Sequence, residues 1–328
     1  MIVTKTPLRV SFFGGGSDVE AFYSQHQGAV LSTTIDKYIH LAVQEVAQPH
    51  YKVMYSEVEQ VSNIDDIKHD RVKAVLEYFG VSPGIEIASF ADIPTKGTGL
   101  GSSSAFTAGL VQALSYYTGQ QLSRYDVAEI ACDIEINWCG EKIGKQDQYA
   151  STFGGFNFIT FHKEGVEVAP LNIPSDTLEI FNEHLLCFYT GQTRSASTIL
   201  TDQVDKLTRK DSDIVFYTKE LVDMAHTAKA ELRSGRLHNV GALLDDSWRM
   251  KKKLSPGISN PLIDQMYEDA LKAGALGGKI LGAGGGGYLL LYVPYHHQQS
   301  VLEKLKYYQN FVFNFTDEGS SIVYSDHV

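Results

Sequence analysis

The sequence predicts an α+β protein of two lobes, a strand-rich N-terminal domain over residues 1–170 and a helix-rich C-terminal domain with an antiparallel sheet over residues 171–328. Three observations lead there. A chain of 328 residues exceeds the usual size of one domain. Its first half alternates apolar and polar residues with period two between glycine turns, and its second half holds long stretches of helical spacing. No repeat, low-complexity tract or Gly/Ser/Pro linker intervenes, so the order of elements alone sets the boundary near residue 170.

Leu8, Val10 and Phe12 alternate with Arg9 and Ser11, as in a half-buried strand, and Gly14-Gly15-Gly16 ends it. Residues 29–35 and 38–46, separated by Asp36-Lys37, read as a hairpin, and 51–56 and 85–90 as further strands. Ser102-Ser103-Ser104 opens a helix whose apolar positions are Ala105, Phe106, Leu110, Val111 and Leu114, with Gly119 as its stop. Ser123 and Asp126 form an S-x-x-D capping box, and Val127, Ile130, Ala131, Ile134 and Trp138 make the apolar stripe behind it, with Glu135 on its edge. Strands over 156–161 and 185–189 precede helices near 213–233, 236–252 and 261–273; two late strands, 288–293 and 311–315, flank a helix near 298–308.

The net charge of -11, from 28 Lys plus Arg against 39 Asp plus Glu, argues against a nucleic-acid groove or an anionic membrane surface. It leaves room for an anionic small molecule held by backbone N–H groups, Mg²⁺ and a few local cations. Arg249, Lys251, Lys252 and Lys253 form the densest basic cluster, which reads most simply as a solvated helix face. Cys132, Cys139 and Cys187 have neither C-x-x-C nor metal-ligand spacing, which suits a reducing compartment. Met1 to Pro7 has no apolar run behind Lys5, so a cytoplasmic protein is expected.

Three glycine-rich segments carry the chemistry. Gly97-Thr98-Gly99-Leu100-Gly101-Ser102-Ser103-Ser104 has what a phosphate loop needs. Its glycines let the backbone approach phosphate oxygens, and the helix behind it offers unpaired N–H groups and roughly half a unit of positive charge. A flexible turn with an N-cap is the plainer alternative. The run Gly282-Ala283-Gly284-Gly285-Gly286-Gly287 contains G-x-G-x-x-G but precedes a strand, so it is no dinucleotide fingerprint. Nor is there a Walker motif, because Gly278-Lys279 is followed by Ile280. The glycines of that run imply close backbone approach, by the first phosphate loop or by the nucleotide, unless they only let two backbones cross. The third run, Gly14-Gly15-Gly16-Ser17-Asp18, sets a carboxylate after a tight turn, where it can accept bonds from sugar hydroxyls or cap a helix beginning near Val19. Asp147 lies in the polar segment Gly144-Lys145-Gln146-Asp147-Gln148 and alone would be a loop acid.

Taken in order, Pro7-Leu8-Arg9-Val10-Ser11-Phe12, Gly97 to Ser104, Gly144 to Gln148 and Lys279 to Gly287 resemble the motif series of the GHMP kinases. The resemblance spans the chain and implies the two-lobed GHMP kinase fold, with ATP and Mg²⁺ as cofactors. It places ATP phosphates on Gly97, Gly99, Leu100, Gly101, Ser102, Ser103 and Ser104, and Mg²⁺ on Ser103 and Glu135. Asp147 would face the acceptor hydroxyl, with Arg9 as the catalytic cation beside it. Gly15, Gly16, Asp18, Arg194, Gly284 and Gly285 would bind the acceptor.

The segments Phe12 to Asp18, Gly144 to Phe158 and Gly282 to Tyr288 resemble those of heptose 7-phosphate kinases. These phosphorylate the anomeric C1 hydroxyl of D-glycero-α-D-manno-heptose 7-phosphate, in the synthesis of nucleotide-activated heptose for capsule or lipopolysaccharide. Fucokinase-like and galactokinase-like sugar 1-kinases are the alternatives, and beside them a GHMP-fold sensor without turnover or an ATP-linked decarboxylase. The partners expected are ATP and a sugar phosphate, with no nucleic acid or membrane and with a homodimer allowed. An acceptor that already carries phosphate needs cations, for which Arg194, Lys96, Lys145 and the Arg249–Lys253 cluster are candidates.

Overall fold

In the computed structural model, which describes residues 1–93, 97–192 and 196–326, the first alternating run becomes β1 (Ile2–Phe13). A single turn of helix, α1 (Glu20–Tyr23), leads to the long strand β2 (Gly28–Glu45). Then come β3 (Tyr51–Met54), β4 (Val58–Val61), α2 (Asp70–Tyr78) and β5 (Ile85–Ala91). Three helices follow, α3 (Ser102–Tyr117), α4 (Arg124–Asp133) and α5 (Gln146–Phe153), and two strands, β6 (Phe156–His162) and β7 (Gly165–Pro170), close the N-terminal half. The second half runs α6 (Ser175–Glu183), β8 (Leu185–Tyr189), α7 (Ala196–Thr208), α8 (Ser212–Arg233), α9 (Leu237–Lys251), α10 (Pro261–Lys272), β9 (Gly277–Ile280), β10 (Tyr288–Tyr292) and α11 (Gln298–Lys304). It ends in β11 (Phe315–Thr316) and β12 (Ser321–Ser325).

The main sheet has the order β12-β1-β2-β5-β3-β4, with β6, β7 and β11 joined through β2. Its pairings are antiparallel except β3 with β5. The helix-rich half has its own antiparallel sheet, β8-β10-β9, so both sheets of the expected α+β fold are present. β11 and β12 return to pair with β2 and β1, so the last residues of the chain complete the N-terminal sheet. An aromatic cluster ties the segments together: Phe12 stacks on Phe156 at 5.5 Å and meets Phe181 at 5.4 Å and Phe315 at 6.2 Å.

The hairpin expected around Asp36-Lys37 does not form. β2 is one continuous strand, and its register against β1 steps from Pro7↔Tyr38 to Leu8↔Ile35, leaving Asp36 and Lys37 as a bulge. Asp36 is held there by Lys37 Nζ at 2.9 Å and by Asn314, whose backbone N–H and side-chain amide both donate to it at 2.9 Å. Asn314, just before β11, thus fixes as a bulge a dipeptide that resembles a turn, and β2 serves two partners, β6 along its first part and β5 along its last.

Most local signals elsewhere act as expected, but the strand expected over 311–315 is reduced to β11 (Phe315–Thr316). The Ser123/Asp126 capping box closes in both directions, and α3 starts at Ser102 and gives way to Gly119 at φ 73°. Beyond α4 the helix widens into one π-type turn, Ile134–Trp138. That turn drives Glu135 fully inside while Trp138, expected in the apolar stripe, is 48% exposed. Among the described residues no helix is long and apolar enough to cross a membrane.

Candidate active site

Arg9 sits on β1 with its side chain directed at the N-terminal turn of α5, the turn that carries Asp147. Its Nε and Nη2 donate to the two carboxylate oxygens of Asp147, each at 2.7 Å, and its Nη1 donates to Gly99 O at 2.6 Å. Arg9 is buried, and its own backbone N–H donates to Leu100 O at 3.0 Å. One arginine therefore fastens the phosphate-loop candidate to the Asp147 helix, with the fork-to-fork geometry that only a guanidinium offers.

Gly101 is the N-cap of α3 at φ 73°. A Cβ there would lie 3.1 Å from Arg9 Cγ and 3.4 Å from Asp147, so a side chain would strain the backbone and crowd the ion pair. The helix start has neither a side-chain cap nor an acidic residue in its first turn, which leaves it an anion-binding terminus. Ser103 is exposed there and lines the cleft. The second glycine run crosses the first loop closely: a Cβ on Gly282 would meet Gly99 Cα at 2.6 Å, and one on Gly287 would meet Thr98 O at 2.6 Å.

Glu135 has no exposed surface and is the centre of a polar hub. It accepts from Arg71 Nε at 2.9 Å, Ser104 Oγ at 2.7 Å, Thr107 Oγ1 at 2.6 Å and the amide of Gln148. Arg71 continues through Nη2 to Glu141 at 2.8 Å. Burial raises the Glu141 pKa, with the Arg71 charge acting against it. The hydroxyl beside Glu135 is thus that of Ser104, while Ser103 opens on the cleft. Among the described residues no three acidic, His or Cys side chains converge. Ser103 and Glu135 both carry oxygen atoms of the kind Mg²⁺ takes, but the Glu135 carboxylate is already met by Arg71, Ser104, Thr107 and Gln148, and Ser103 is not among these donors.

The wall of the cleft expected to take the acceptor carries Asp18. Asp18 does not cap α1, whose N-cap residue is Val19. Its carboxylate turns inward and accepts the backbone N–H of Gly16 at 2.9 Å and of Gln146 at 3.1 Å, and burial followed by the nearby Asp147 charge raises its pKa. Gly144 makes this possible, because a Cβ there would sit 1.9 Å from Asp18 Oδ2. Gln146 also accepts from Ser11 Oγ at 2.8 Å, linking β1 to the same wall. Together with Gly15, Gly16, Asp147, the phosphate loop and α7, these residues enclose a cavity of about 840 Å³.

Not every expected residue reaches it. Gly284 and Gly285 pack away from the cleft on Ile258, whose carbonyl accepts the Gly285 N–H at 2.8 Å; Gly282 and Ala283 line it instead. Leu100 is buried behind the phosphate loop with its carbonyl on Arg9. Arg194 and Lys96 lie outside the described residues. Lys145 is paired with Glu129 at 2.9 Å.

The solvated-face reading of the basic cluster holds for three of its members and fails for the fourth. Arg249 pairs with Asp245 at 2.6 Å, Lys252 with Asp264 at 3.1 Å, and Lys253 lies over the Tyr217 ring at 5.1 Å. Lys251 is buried, lines the cleft and donates to Gly282 O.

Models of the GHMP kinases match on both sides of the chain, the N-terminal domain over residues 69–155 and the C-terminal domain over residues 228–310. A D-glycero-alpha-D-manno-heptose 7-phosphate kinase of Campylobacter jejuni is 30% identical over 97% of each chain. The chain belongs to the GHMP kinases. It is an ATP-dependent kinase. A bifunctional fucokinase/GDP-fucose pyrophosphorylase of Arabidopsis thaliana is 27% identical over 87% of this GHMP kinase and 29% of its own length. In fold, a D-glycero-D-manno-heptose 1-phosphate kinase of Bacteroides thetaiotaomicron superposes with a TM-score of 0.81 at 23% identity, over 99% of this GHMP kinase and 100% of that chain.

Several residues of the GHMP kinase cleft escape a sequence reading. Arg71 and Glu141 belong to none of the quoted segments and meet the site only through tertiary contacts. Lys279 is visible as the residue before a glycine-rich turn, but its burial against the carbonyls of Ser11 and Phe12, each at 2.9 Å, follows from the packing of β9 on β1.

Proposed function

We propose that this GHMP kinase transfers the γ-phosphoryl group of ATP to the anomeric C1 hydroxyl of D-glycero-α-D-manno-heptose 7-phosphate. The product is the 1,7-bisphosphate used for nucleotide-activated heptose and surface polysaccharide. The observation that carries this reading is the Arg9–Asp147 ion pair, placed between the α3 terminus and the Asp18 wall. The identity to a heptose 7-phosphate kinase over 97% of both chains supports the choice of acceptor.

In this reading ATP phosphates lie along Gly97, Gly99 and Gly101 to Ser104, on the N–H groups of the α3 terminus. The sugar rests between Asp18, Gly15 and Gly16, and Asp147 accepts a hydrogen bond from the C1 hydroxyl. The hydroxyl oxygen bonds to the γ-phosphorus, the bond from that phosphorus to the bridging oxygen breaks, and ADP departs as the hydroxyl proton passes to the Asp147 carboxylate and from it to solvent. Arg9 keeps the Asp147 carboxylate oriented and adds positive charge next to the transferring group. Ser103 and Glu135 would hold Mg²⁺, which neutralises phosphate charge; Arg71, now on Glu135, would then lean on Glu141. The two catalytic domains are assigned to residues 1–170 and 171–328, and the enzyme to the cytoplasm.

ADP release measured with D-glycero-D-manno-heptose 7-phosphate, the free heptose, L-fucose and galactose tests the proposal. The phosphorylated heptose should be preferred over the free sugar by roughly a hundredfold in kcat/KM. Efficient turnover of L-fucose without that preference would reassign the enzyme as a fucokinase.

A further inference from the structure

Two lysines are buried on the wall between β1, β9 and the end of α9, and among the described residues neither is in a salt bridge. Lys279 Nζ spends two of its donors on the carbonyls of Ser11 and Phe12. Lys251 Nζ has one protein acceptor, Gly282 O, and faces the cleft. Backbone carbonyls satisfy hydrogen bonds but do not cancel charge. A buried ammonium without a counter-ion is strongly disfavoured unless something anionic arrives.

The charged groups around Lys251 on the elements packed against it are Arg9, Asp18 and Lys279. Arg9 is committed to Asp147, and the Asp18 carboxyl has its pKa raised. The wall therefore has a surplus of cation in the same cavity as the α3 terminus, where Gly282, the acceptor of Lys251, packs on Gly99. The other members of the basic cluster are paired or stacked outside, so Lys251 alone of them reaches the ligand.

We propose that Lys251, backed by Lys279, is the cation that receives the phosphate monoester already present on the acceptor and so sets the preference for a phosphorylated sugar. This rests on the acceptor class proposed above. Burial, with the Arg9 charge second, lowers the Lys251 pKa to about 8, and burial followed by the Lys251 and Arg9 charges lowers that of Lys279. An arriving dianion reverses the shift, so binding takes up protons.

The test uses the whole enzyme with D-glycero-D-manno-heptose 7-phosphate and the free heptose as paired acceptors, in wild type, Lys251→Met and Lys251→Arg. The wild-type preference of roughly a hundredfold should fall below about tenfold in Lys251→Met, chiefly through KM for the phosphorylated sugar, and be largely kept in Lys251→Arg. Calorimetry of heptose 7-phosphate binding at pH 8 in two buffers of different ionisation enthalpy supplies a second readout. The ester is fully dianionic there, so proton uptake belongs to the protein, and it should vanish in Lys251→Met. A preference unchanged in Lys251→Met, an equal loss on both acceptors, or binding without proton uptake overturns the assignment. If wild type itself shows no preference for the phosphorylated heptose, the proposed acceptor falls and this assignment with it; loss of the Lys251 effect alone leaves the acceptor standing.

Discussion

Arg9 holds Asp147 by both carboxylate oxygens while its third donor grips the carbonyl of Gly99, so the residue proposed to face the acceptor and the loop proposed to face ATP share one guanidinium. In-line transfer depends on alignment of the two substrates, and this bond is where their supports meet.

Asp147→Asn should lower kcat by roughly 10²–10⁴-fold while the Kd of ATP stays within about threefold, if, as proposed, the carboxylate faces the acceptor. Single-turnover rates and calorimetric ATP binding check both halves. Turnover within a factor of two of wild type removes Asp147 from the mechanism.

Gly101→Ala should weaken ATP binding at least about tenfold and lower stability by about 1–2 kcal/mol, the usual penalty for a left-handed non-glycine residue. Gly119→Ala is its control. Gly119 has the same φ of 73° with nothing within 4 Å of a Cβ, so it should lose comparable stability and keep ATP binding.

Ser103→Ala and Glu135→Gln should both raise the Mg²⁺ concentration needed for half-maximal rate. Glu135→Gln should also lower the melting temperature, since it removes the charge that Arg71, Ser104, Thr107 and Gln148 surround. Ser103, exposed on the cleft, should leave stability alone. An unchanged Mg²⁺ titration in both variants excludes the pair as ligands.

Lys251 predicts an unusual pH dependence of stability. Its folded pKa of about 8 lies below the ordinary 10.5, so the unfolded chain binds more protons between those values. Stability from this group therefore rises with pH through that window and is lowest below pH 8. Lys251→Met should be more stable than wild type at pH 7, with the difference shrinking toward pH 10.5. Chemical denaturation at pH 7 and pH 10 measures this, and a less stable Lys251→Met at pH 7 contradicts it.

What was legible in the sequence was local. The Ser123/Asp126 box, the α3 start and the turn of Gly97, Gly99 and Gly101 at positive φ before it need only neighbouring residues, and all form where the pattern puts them. Asp36-Lys37 misled because a strand bulge and a two-residue turn share polar composition, and the partners that decide between them, Pro7 and Asn314, are remote in sequence. Lys251 was hidden for a related reason. It stands among three solvated cations, and only the packing of the α9 end under Gly282 separates it from them. The hub around Glu135 draws on α2, α3 and α5 at once, which no single-segment pattern reveals.

The most direct measurement is the structure of the product: phosphorus-31 NMR of the reaction of ATP with D-glycero-D-manno-heptose 7-phosphate. We predict a second phosphate resonance coupled to the anomeric proton, appearing in step with ADP and absent with Asp147→Asn. A new phosphate at any other carbon, or ADP release without a bisphosphate, would contradict the assignment of C1 transfer.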